Sequence, residues 1–199
     1  MLSLLKDIDQ FEIVLASESP RRFELLKMIG LDFKVRPSHA PEKYESQLTF
    51  VDYSLKNARL KGRLVAEKYP HALVISADTI VVHRGVILEK PHDENHAAEI
   101  LRRLSNSTHD VITAFGITYL ARDKSVFDYE QTRVTFRNLK QNEITAYINS
   151  GEPFDKAGGY GAQGSGALLI KKVEGCFFNV VGLPLSKFFI TLEKFLIEL

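Results

Sequence analysis

Short runs of apolar residues alternate with segments of helical spacing along this chain. Apolar residues are concentrated at 11–16, and again at 72–77 and 79–82, as in strands that are buried on both faces. Residues 23–29 instead place apolar side chains at helical spacing, and Gly30 follows where a helix would end. This alternation predicts an α/β fold.

The remaining pattern predicts strands that neighbour one another without an intervening helix. Further strands are expected at 32–36, 86–88, 111–120, 126–136 and 167–173. Further helices are expected from Thr49 to about Tyr69, from Asp93 to about Leu104, over 142–149, and after Pro184. Adjacent antiparallel pairs make the predicted sheet mixed and twisted, flanked by helices, with a cleft between two lobes.

Composition excludes several classes of protein. The chain has 199 residues, which we interpret as a single domain over 1–199, and 26 Lys and Arg balance 25 Asp and Glu. This balance argues against a general nucleic-acid or membrane-surface binder. Cys176 is the one cysteine, so the chain has no internal disulfide, which fits a reducing compartment. Without a long apolar stretch or a signal-like start, the predicted location is the cytoplasm.

The segment between the first strand and the first helix predicts a phosphate site. Ser19 is expected to be the N-cap and Pro20 the first helical residue. Backbone N–H groups of the first turn, the Ser17 hydroxyl, and the guanidinium groups of Arg21 and Arg22 would then surround one helix N-terminus. The alternative is an ordinary capped helix with two solvated arginines.

A carboxylate interrupts the long apolar run. Asp78 lies inside it, where burial is costly unless the charge is paired, bound to metal, or placed at a cleft. It is therefore a candidate metal ligand or general base, and Thr79 adds a hydroxyl beside it. The alternative is an aspartate bonded to backbone at a bulge. Lys61 and Lys90 are candidate cations for a triphosphate, or solvated lysines.

Glycines are dense between Gly158 and Gly166. Three of them, at 159, 161 and 164, match the dinucleotide pattern G-x-G-x-x-G. We reject that match, because the segment follows a predicted helix and leads into a strand, the reverse of the required order. Backbone here can approach a ligand closely, with Lys156 and Gln163 as polar side chains. An amide suits the imide edge of uracil or thymine, while the alternative is a flexible surface loop.

Two other arrangements are weaker. His92 and His96 have the spacing of a helical zinc site, but Pro91 predicts that the helix begins only at Asp93 and leaves His92 outside. His109 and Asp110 could be combined with Ser17 or Ser19 as a hydrolytic triad, although no nucleophile elbow is visible.

Several motifs together resemble the Maf family of nucleoside triphosphate pyrophosphatases over nearly the whole chain. The matching segments are LASESPRR at 15–22, SADTIVV at 76–82, LEKP at 88–91, DKAGGYGAQG at 155–164 and NVVGLP at 179–184. The resemblance implies an elongated mixed sheet with a central cleft, similar to the fold of inosine-triphosphate pyrophosphatase. It also implies cytoplasmic, frequently dimeric enzymes that cleave nucleoside triphosphates into monophosphate and pyrophosphate with Mg²⁺ or Mn²⁺. Such enzymes remove modified or excess nucleotides.

The resemblance also assigns roles to individual residues. Asp78 matches the proton acceptor, and Arg21, Thr79 and Gln163 match the positions associated with the dTTP/UTP subgroup. The polar binding shell corresponds to Ser17, Arg22, Glu42, Lys61 and Lys90, and our hypothesis adds Lys156 and has Glu42 and Asp78 holding the metal. Ala162 stands where the family usually has a larger aliphatic residue, and Ser165 is at a variable position. The resemblance therefore leaves open a wider base pocket that would accept a modified pyrimidine.

Two other functions stay open at this stage. One is a pyrophosphatase on the same scaffold for 7-methyl-GTP or another purine-type nucleotide. The other is a non-catalytic regulatory or nucleic-acid-binding module linked to cell division. Turnover of a purine in preference to UTP would favour the first, and binding without turnover the second.

Overall fold

A computed structural model of the chain describes Leu5, residues 7–41 and residues 47–199. Seven strands are present in this part of the chain. Their bounds are Glu12–Leu15 (β1), Lys34–Val35 (β2), Ala72–His83 (β3), Val86–Leu88 (β4), Thr108–Tyr119 (β5), Lys124–Phe136 (β6) and Ile170–Glu174 (β7). Of these, β2 and β4 are the shortest, with two and three residues.

Six α-helices accompany the strands within the described residues. Their bounds are Pro20–Met28 (α1), Phe50–Ala66 (α2), Glu94–Leu104 (α3), Gln141–Asn149 (α4), Phe177–Val181 (α5) and Leu185–Ile197 (α6). Side-chain caps define three of the starts, because Ser19, Thr49 and Asp93 each accept a hydrogen bond from the third backbone N–H that follows. The sequence pattern predicts helices that begin at each of these three caps.

The strands form one mixed sheet in the order β2-β1-β3-β5-β6-β7, and β4 pairs with β3. The β1 strand is parallel to both β2 and β3, whereas the pairs β3–β4 and β6–β7 are antiparallel. The predicted α/β class and mixed sheet are thus confirmed.

The chain divides into two compact units. The first consists of Met1–Asp78, Thr113–Glu130 and Gly182–Leu199, as far as these segments are described. Part of its core is a cluster in which Val14 and Val74 of the paired strands pack with Val65 and Ala66 of α2. The interior is therefore formed where the parallel strands meet one apolar helix face.

The second unit consists of Thr79–Ile112 and Gln131–Val181. Its core gathers Ile100, Leu101 and Leu104 of α3 with Ile144 and Ile148 of α4. Aromatic contacts extend this core, because the Phe136 ring meets the rings of His109 and Tyr160 edge-on, at centroid distances of 5.2 and 4.7 Å.

The predicted single domain over 1–199 and the predicted cleft between two lobes stay predictions.

The largest errors in the predicted elements lie after α4. The strand expected at 167–173 begins only at Ile170, because Gly164–Leu169 forms a 3₁₀ helix. The α5 helix was not predicted, since five residues are too few to show a helical period. Two smaller differences lie earlier in the chain. The strand expected at 32–36 is limited to Lys34–Val35, and α2 ends at Ala66 instead of near Tyr69.

None of the described helices has the length and apolar character needed to cross a bilayer.

Candidate active site

Asp78 lies in the middle of β3 with 3% of its surface exposed. Its Oδ1 accepts a hydrogen bond from Lys61 Nζ at 2.6 Å, and its Oδ2 accepts one from Asn57 Nδ2 at 3.3 Å. A buried carboxylate is tolerated when a cation and hydrogen bonds compensate its charge, as they do here. The alternative of a backbone-bonded aspartate at a bulge is wrong.

Helix α2 supplies these partners from one face. Ser54, Asn57 and Lys61 follow one another at spacings of three and four residues. The Ser54 hydroxyl donates to the Asp78 carbonyl oxygen at 3.1 Å, and its oxygen accepts from the Ala114 N–H at 3.3 Å. Three polar side chains of α2 therefore hold both the side chain and the backbone of Asp78.

The sequence interpretation missed Ser54 and Asn57. The available signal was the polar stripe itself, because Ser54 and Asn57 are buried in an amphipathic helix on the side that should be apolar. Such a stripe requires polar partners in the sheet, and Asp78 is the acid in the strand that the helix covers.

The start of α1 is built as predicted, but Arg22 does not extend into solvent. Arg22 is 8% exposed, its Nη1 donates to Ser17 Oγ at 2.9 Å, and its Nε donates to the Gly182 carbonyl at 2.9 Å. The alternative of two solvated arginines is therefore wrong for Arg22. Its guanidinium orients the Ser17 hydroxyl and ties the helix start to the segment before α6. Arg21, the neighbouring residue, is half-buried.

Ser17 and Asp78 both come shortly after the last residues that are paired between the parallel strands β1 and β3. The last paired residues of β1 and β3 are Leu15 and Ile75, and the Ala16 N–H donates to the Ile75 carbonyl at 2.7 Å. Ser17 comes two residues after Leu15, and Asp78 comes three residues after Ile75. The carboxyl ends of parallel strands are where α/β proteins bind ligands, so both residues are at the expected edge.

The other predicted site residues belong to the second unit. Thr79 is half-buried in β3, while Lys90 and Gln163 are exposed. Lys90 lies next to the glycine segment, because the Gly158 N–H donates to the Glu89 carbonyl at 3.2 Å. Lys156 Nζ donates to Asp155 Oδ1 and to the Glu152 carbonyl, both at 2.6 Å. The structure thus places Lys90 next in sequence to a residue that bonds the segment carrying Lys156 and Gln163.

The glycine segment contains short stretches of regular backbone. It contains 3₁₀ helices over Ala157–Gly159 and Gly164–Leu169, and left-handed backbone at Gly158, Gly159 and Gly164. It follows α4 and leads into β7, which confirms the rejection of the dinucleotide match. A Cβ on Gly158 would lie 2.8 Å from both methyl carbons of Val81, so the backbone packs directly on β3.

The structure also places the histidines that the sequence analysis considered. The rings of His92 and His96 lie 4.2 Å apart. Asp93 is the N-cap of α3, so His92 lies outside the helix as predicted. His109 is buried, its Nε2 lies 2.6 Å from the Tyr160 hydroxyl, and this contact does not correspond to a hydrolytic triad. Burial, with a smaller contribution from His83, lowers the pKa of His109 to about 3.

Metal ligands are sparse in the part of the chain that is described. No group of three or more His, Cys, Asp or Glu side chains converges there. Asp78 is buried near a cation, and Glu42, the second predicted ligand, lies outside the described residues.

Comparison with known proteins identifies the family. The profile of the family described as Maf-like protein matches residues 12–195. The chain therefore belongs to the Maf-like protein family, as its motifs indicated.

Curated relatives are similar over nearly the whole chain. A protein of Bacillus pumilus (strain SAFR-032) named dTTP/UTP pyrophosphatase is 45% identical over 184 residues, which cover 92% of this chain and 96% of that protein. A protein of Caldicellulosiruptor bescii with the same name is 41% identical over 186 residues, 92% of this chain and 94% of that protein. A third, from Dictyoglomus thermophilum, is 45% identical over 177 residues, 88% of this chain and 92% of that protein.

Proposed function

We propose that this chain is a nucleoside triphosphate pyrophosphatase that converts dTTP and UTP to the monophosphate and pyrophosphate. The observation that carries the proposal is the buried Asp78 carboxylate, held by Lys61 and Asn57 just beyond the end of the parallel strand pair. The names of the three relatives support the substrate class. The cellular role that follows is the removal of excess or modified pyrimidine nucleotides.

Asp78 is the proposed general base. In hydrolysis, the oxygen of a water molecule forms a bond to the α-phosphorus while the bond from that phosphorus to the bridging oxygen breaks. The water proton passes to an Asp78 carboxylate oxygen, and pyrophosphate leaves with the bridging oxygen. Lys61 and Asn57 fix the plane of the carboxylate, which is the requirement for a positioned base.

The start of α1 is the proposed phosphate-binding element. The Ser17 hydroxyl, the first-turn backbone N–H groups and the Arg21 guanidinium are donors suited to phosphate oxygens. Arg22 contributes by holding Ser17, since its own donors bond to Ser17 Oγ and to the Gly182 carbonyl. Lys61, Lys90 and Lys156 add positive charge to compensate that of the triphosphate.

A divalent cation fits the chemistry of Asp78. Mg²⁺ commonly uses one or two carboxylates together with substrate phosphates, so a dense protein ligand cluster is not required. Each Asp78 oxygen has one partner among the described residues, and a carboxylate offers about four acceptor positions. We propose that Asp78 and Glu42 hold Mg²⁺ or Mn²⁺, which when bound would offset the charge that develops on the phosphates.

Base selection is assigned to Gln163, with Thr79 and Arg21 as further contributors. The exposed Gln163 amide can donate and accept at once, which matches the imide edge of uracil and thymine. A homodimer and a cytoplasmic location stay predictions.

The proposal is tested by pyrophosphate release from a panel of canonical-base and modified nucleoside triphosphates with Mg²⁺ or Mn²⁺. We expect release from dTTP and UTP by the wild type and loss of this activity in Asp78→Asn. Preference for 7-methyl-GTP or another purine would contradict the assigned substrates. Nucleotide binding without turnover by the folded protein would overturn the enzymatic proposal in favour of a regulatory module.

A further inference from the structure

We propose that Glu152 is a positioning residue that fixes the segment of residues 161–166 and so sets the base selectivity assigned to Gln163. This inference rests on the proposed function. Glu152 lies in a 3₁₀ helix, Glu152–Asp155, and no motif of the sequence analysis singled it out.

Both oxygens of the Glu152 carboxylate accept hydrogen bonds from the C-terminal end of the segment, Ser165 and Gly166. Oε2 accepts hydrogen bonds from the Ser165 N–H, at 3.1 Å, and from the Ser165 hydroxyl. Oε1 accepts from the Gly166 N–H at 3.2 Å. The carboxylate therefore caps the first turn of the 3₁₀ helix Gly164–Leu169, where backbone N–H groups lack helical partners.

The same carboxylate is linked to the N-terminal end of the segment, Gly161, through the Tyr147 hydroxyl. The Tyr147 hydroxyl donates to Glu152 Oε1 at 3.1 Å, and its oxygen accepts from the Gly161 N–H at 3.2 Å. Burial, with the neighbouring Glu152 charge, raises the pKa of Tyr147, so the hydroxyl keeps its proton. Gly161 and Gly166 are thereby held by one acidic side chain, directly or through one hydroxyl.

The two ends of the segment touch each other. A Cβ on Gly166 would lie 2.3 Å from the Gly161 carbonyl oxygen and 2.9 Å from its nitrogen, so the two backbones are in direct contact. Gln163 lies between them and is exposed. Residues 161–166 therefore form a closed segment that carries Gln163. Glu152 bonds to Ser165 and Gly166 after Gln163 and, through Tyr147, to Gly161 before it.

Glu152 is ionised at neutral pH. Burial raises its pKa, but hydrogen bonds from Ser165, Gly166 and Tyr147 outweigh this effect and lower the pKa below its ordinary value. An uncharged glutamine has one oxygen, so it cannot accept from both the Ser165 and Gly166 sides. At least one donor loses its partner, and the segment gains freedom where Gln163 meets the base.

The experiment compares Glu152→Gln with the matched control Glu99→Gln. Glu99 is also an acid in the second unit, but it is exposed and accepts from Arg103 Nη2 at 2.6 Å within the same helix, α3. We measure kcat and KM for UTP and for CTP in the wild type, in these two variants and in Ser165→Ala. Backbone hydrogen exchange at Gly161, Ser165 and Gly166 is followed in parallel.

We expect Glu152→Gln to lower the UTP-over-CTP ratio of kcat/KM by about tenfold, mainly through KM for UTP, the effect of one lost hydrogen bond. Exchange at the three amides should accelerate, while Glu99→Gln should change neither the ratio nor the exchange. Ser165→Ala, an exposed substitution that removes only one donor to the carboxylate, should lower the ratio by about threefold.

Different results would contradict the proposed function and the proposed role of Glu152. A wild type that releases no pyrophosphate from UTP contradicts the proposed function. A selective wild type whose ratio is unchanged in Glu152→Gln and Ser165→Ala overturns the role of Glu152. An equal loss of kcat/KM for both nucleotides also overturns it, because a merely structural or catalytic residue would affect both bases alike.

Discussion

The ammonium Nζ of Lys61 lies 2.6 Å from Oδ1 of Asp78, and this ion pair joins α2 to the middle of β3. The two side chains are 12% and 4% exposed, so water compensates little of either charge. Removing one partner of such a pair leaves a buried charge without compensation, which is more costly than removing both. Two predictions follow from the positions of these residues.

Asp78→Asn preserves shape but removes the carboxylate. We expect turnover of UTP to fall about a hundredfold or more, because a positioned general base contributes at least that factor. Steady-state pyrophosphate release measures the change. Asp123→Asn, in an exposed left-handed turn that asparagine tolerates, is the matched control and should keep the wild-type rate. Near-normal turnover in folded Asp78→Asn would contradict the role of base.

Lys61→Met removes the cation and keeps most of the side-chain volume. We expect it to lower the free energy of unfolding by about 3 kcal/mol, since Asp78 stays buried and charged. The double variant with Asp78→Asn should be less destabilised than Lys61→Met alone. Urea unfolding of the wild type, both single variants and the double variant gives the coupling energy. Additive effects would show that the pair does not stabilise the fold.

Gln163→Glu replaces a donor and acceptor with an acceptor alone. We expect weaker selection of uracil and thymine with a smaller change in kcat, because the side chain is assigned to the base and not to the phosphates. The measurement is kcat/KM for UTP, dTTP, CTP and GTP. If every nucleotide loses the same factor, Gln163 is structural or catalytic instead.

Gly166→Ala tests the closure of residues 161–166. Its Cβ would clash with the Gly161 carbonyl at 2.3 Å, a backbone atom that cannot move aside. We expect a loss of about 3 kcal/mol in the free energy of unfolding. The control Gly151→Ala has positive φ but nothing within 4 Å of the added Cβ, and should cost about 1 kcal/mol. Gly166 does not have the positive φ of Gly151, so a loss no larger than that of the control would contradict the tight contact between Gly166 and Gly161.

The buried His109 predicts an acid-sensitive stability. Its pKa falls from 6.5 in the unfolded chain to about 3 in the folded protein, so the unfolded state binds the proton more readily. The stabilisation is complete above pH 6.5 and is lost as the pH falls towards 3. We expect a loss of about 2 kcal/mol between pH 7 and pH 5 from this group. Urea unfolding at both values should show a smaller loss in His109→Gln, and an unchanged loss would contradict the assignment.

Local patterns in the sequence were sufficient for most of the elements. The caps at Ser19, Thr49 and Asp93 are short-range features, since each side chain bonds the third backbone N–H that follows. The apolar runs of β1 and β3 are also visible within single segments of the sequence. The motifs around Asp78 and Gln163 were also sufficient to predict the family. Residues 167–169 were assigned to a strand, but they belong to a 3₁₀ helix whose first turn is bonded by the Glu152 carboxylate from outside the segment.

The sequence by itself determined the α/β class, the family, and the residue types that carry the proposed chemistry. Only the tertiary structure decided their partners. Arg22 bonds to Gly182, which is 160 residues away, and Asn57 bonds to Asp78 across 21 residues. Such pairs are set by how the sheet and helices pack. A single chain carries no local signal for packing, because any donor could meet many acceptors until the backbone brings two of them together.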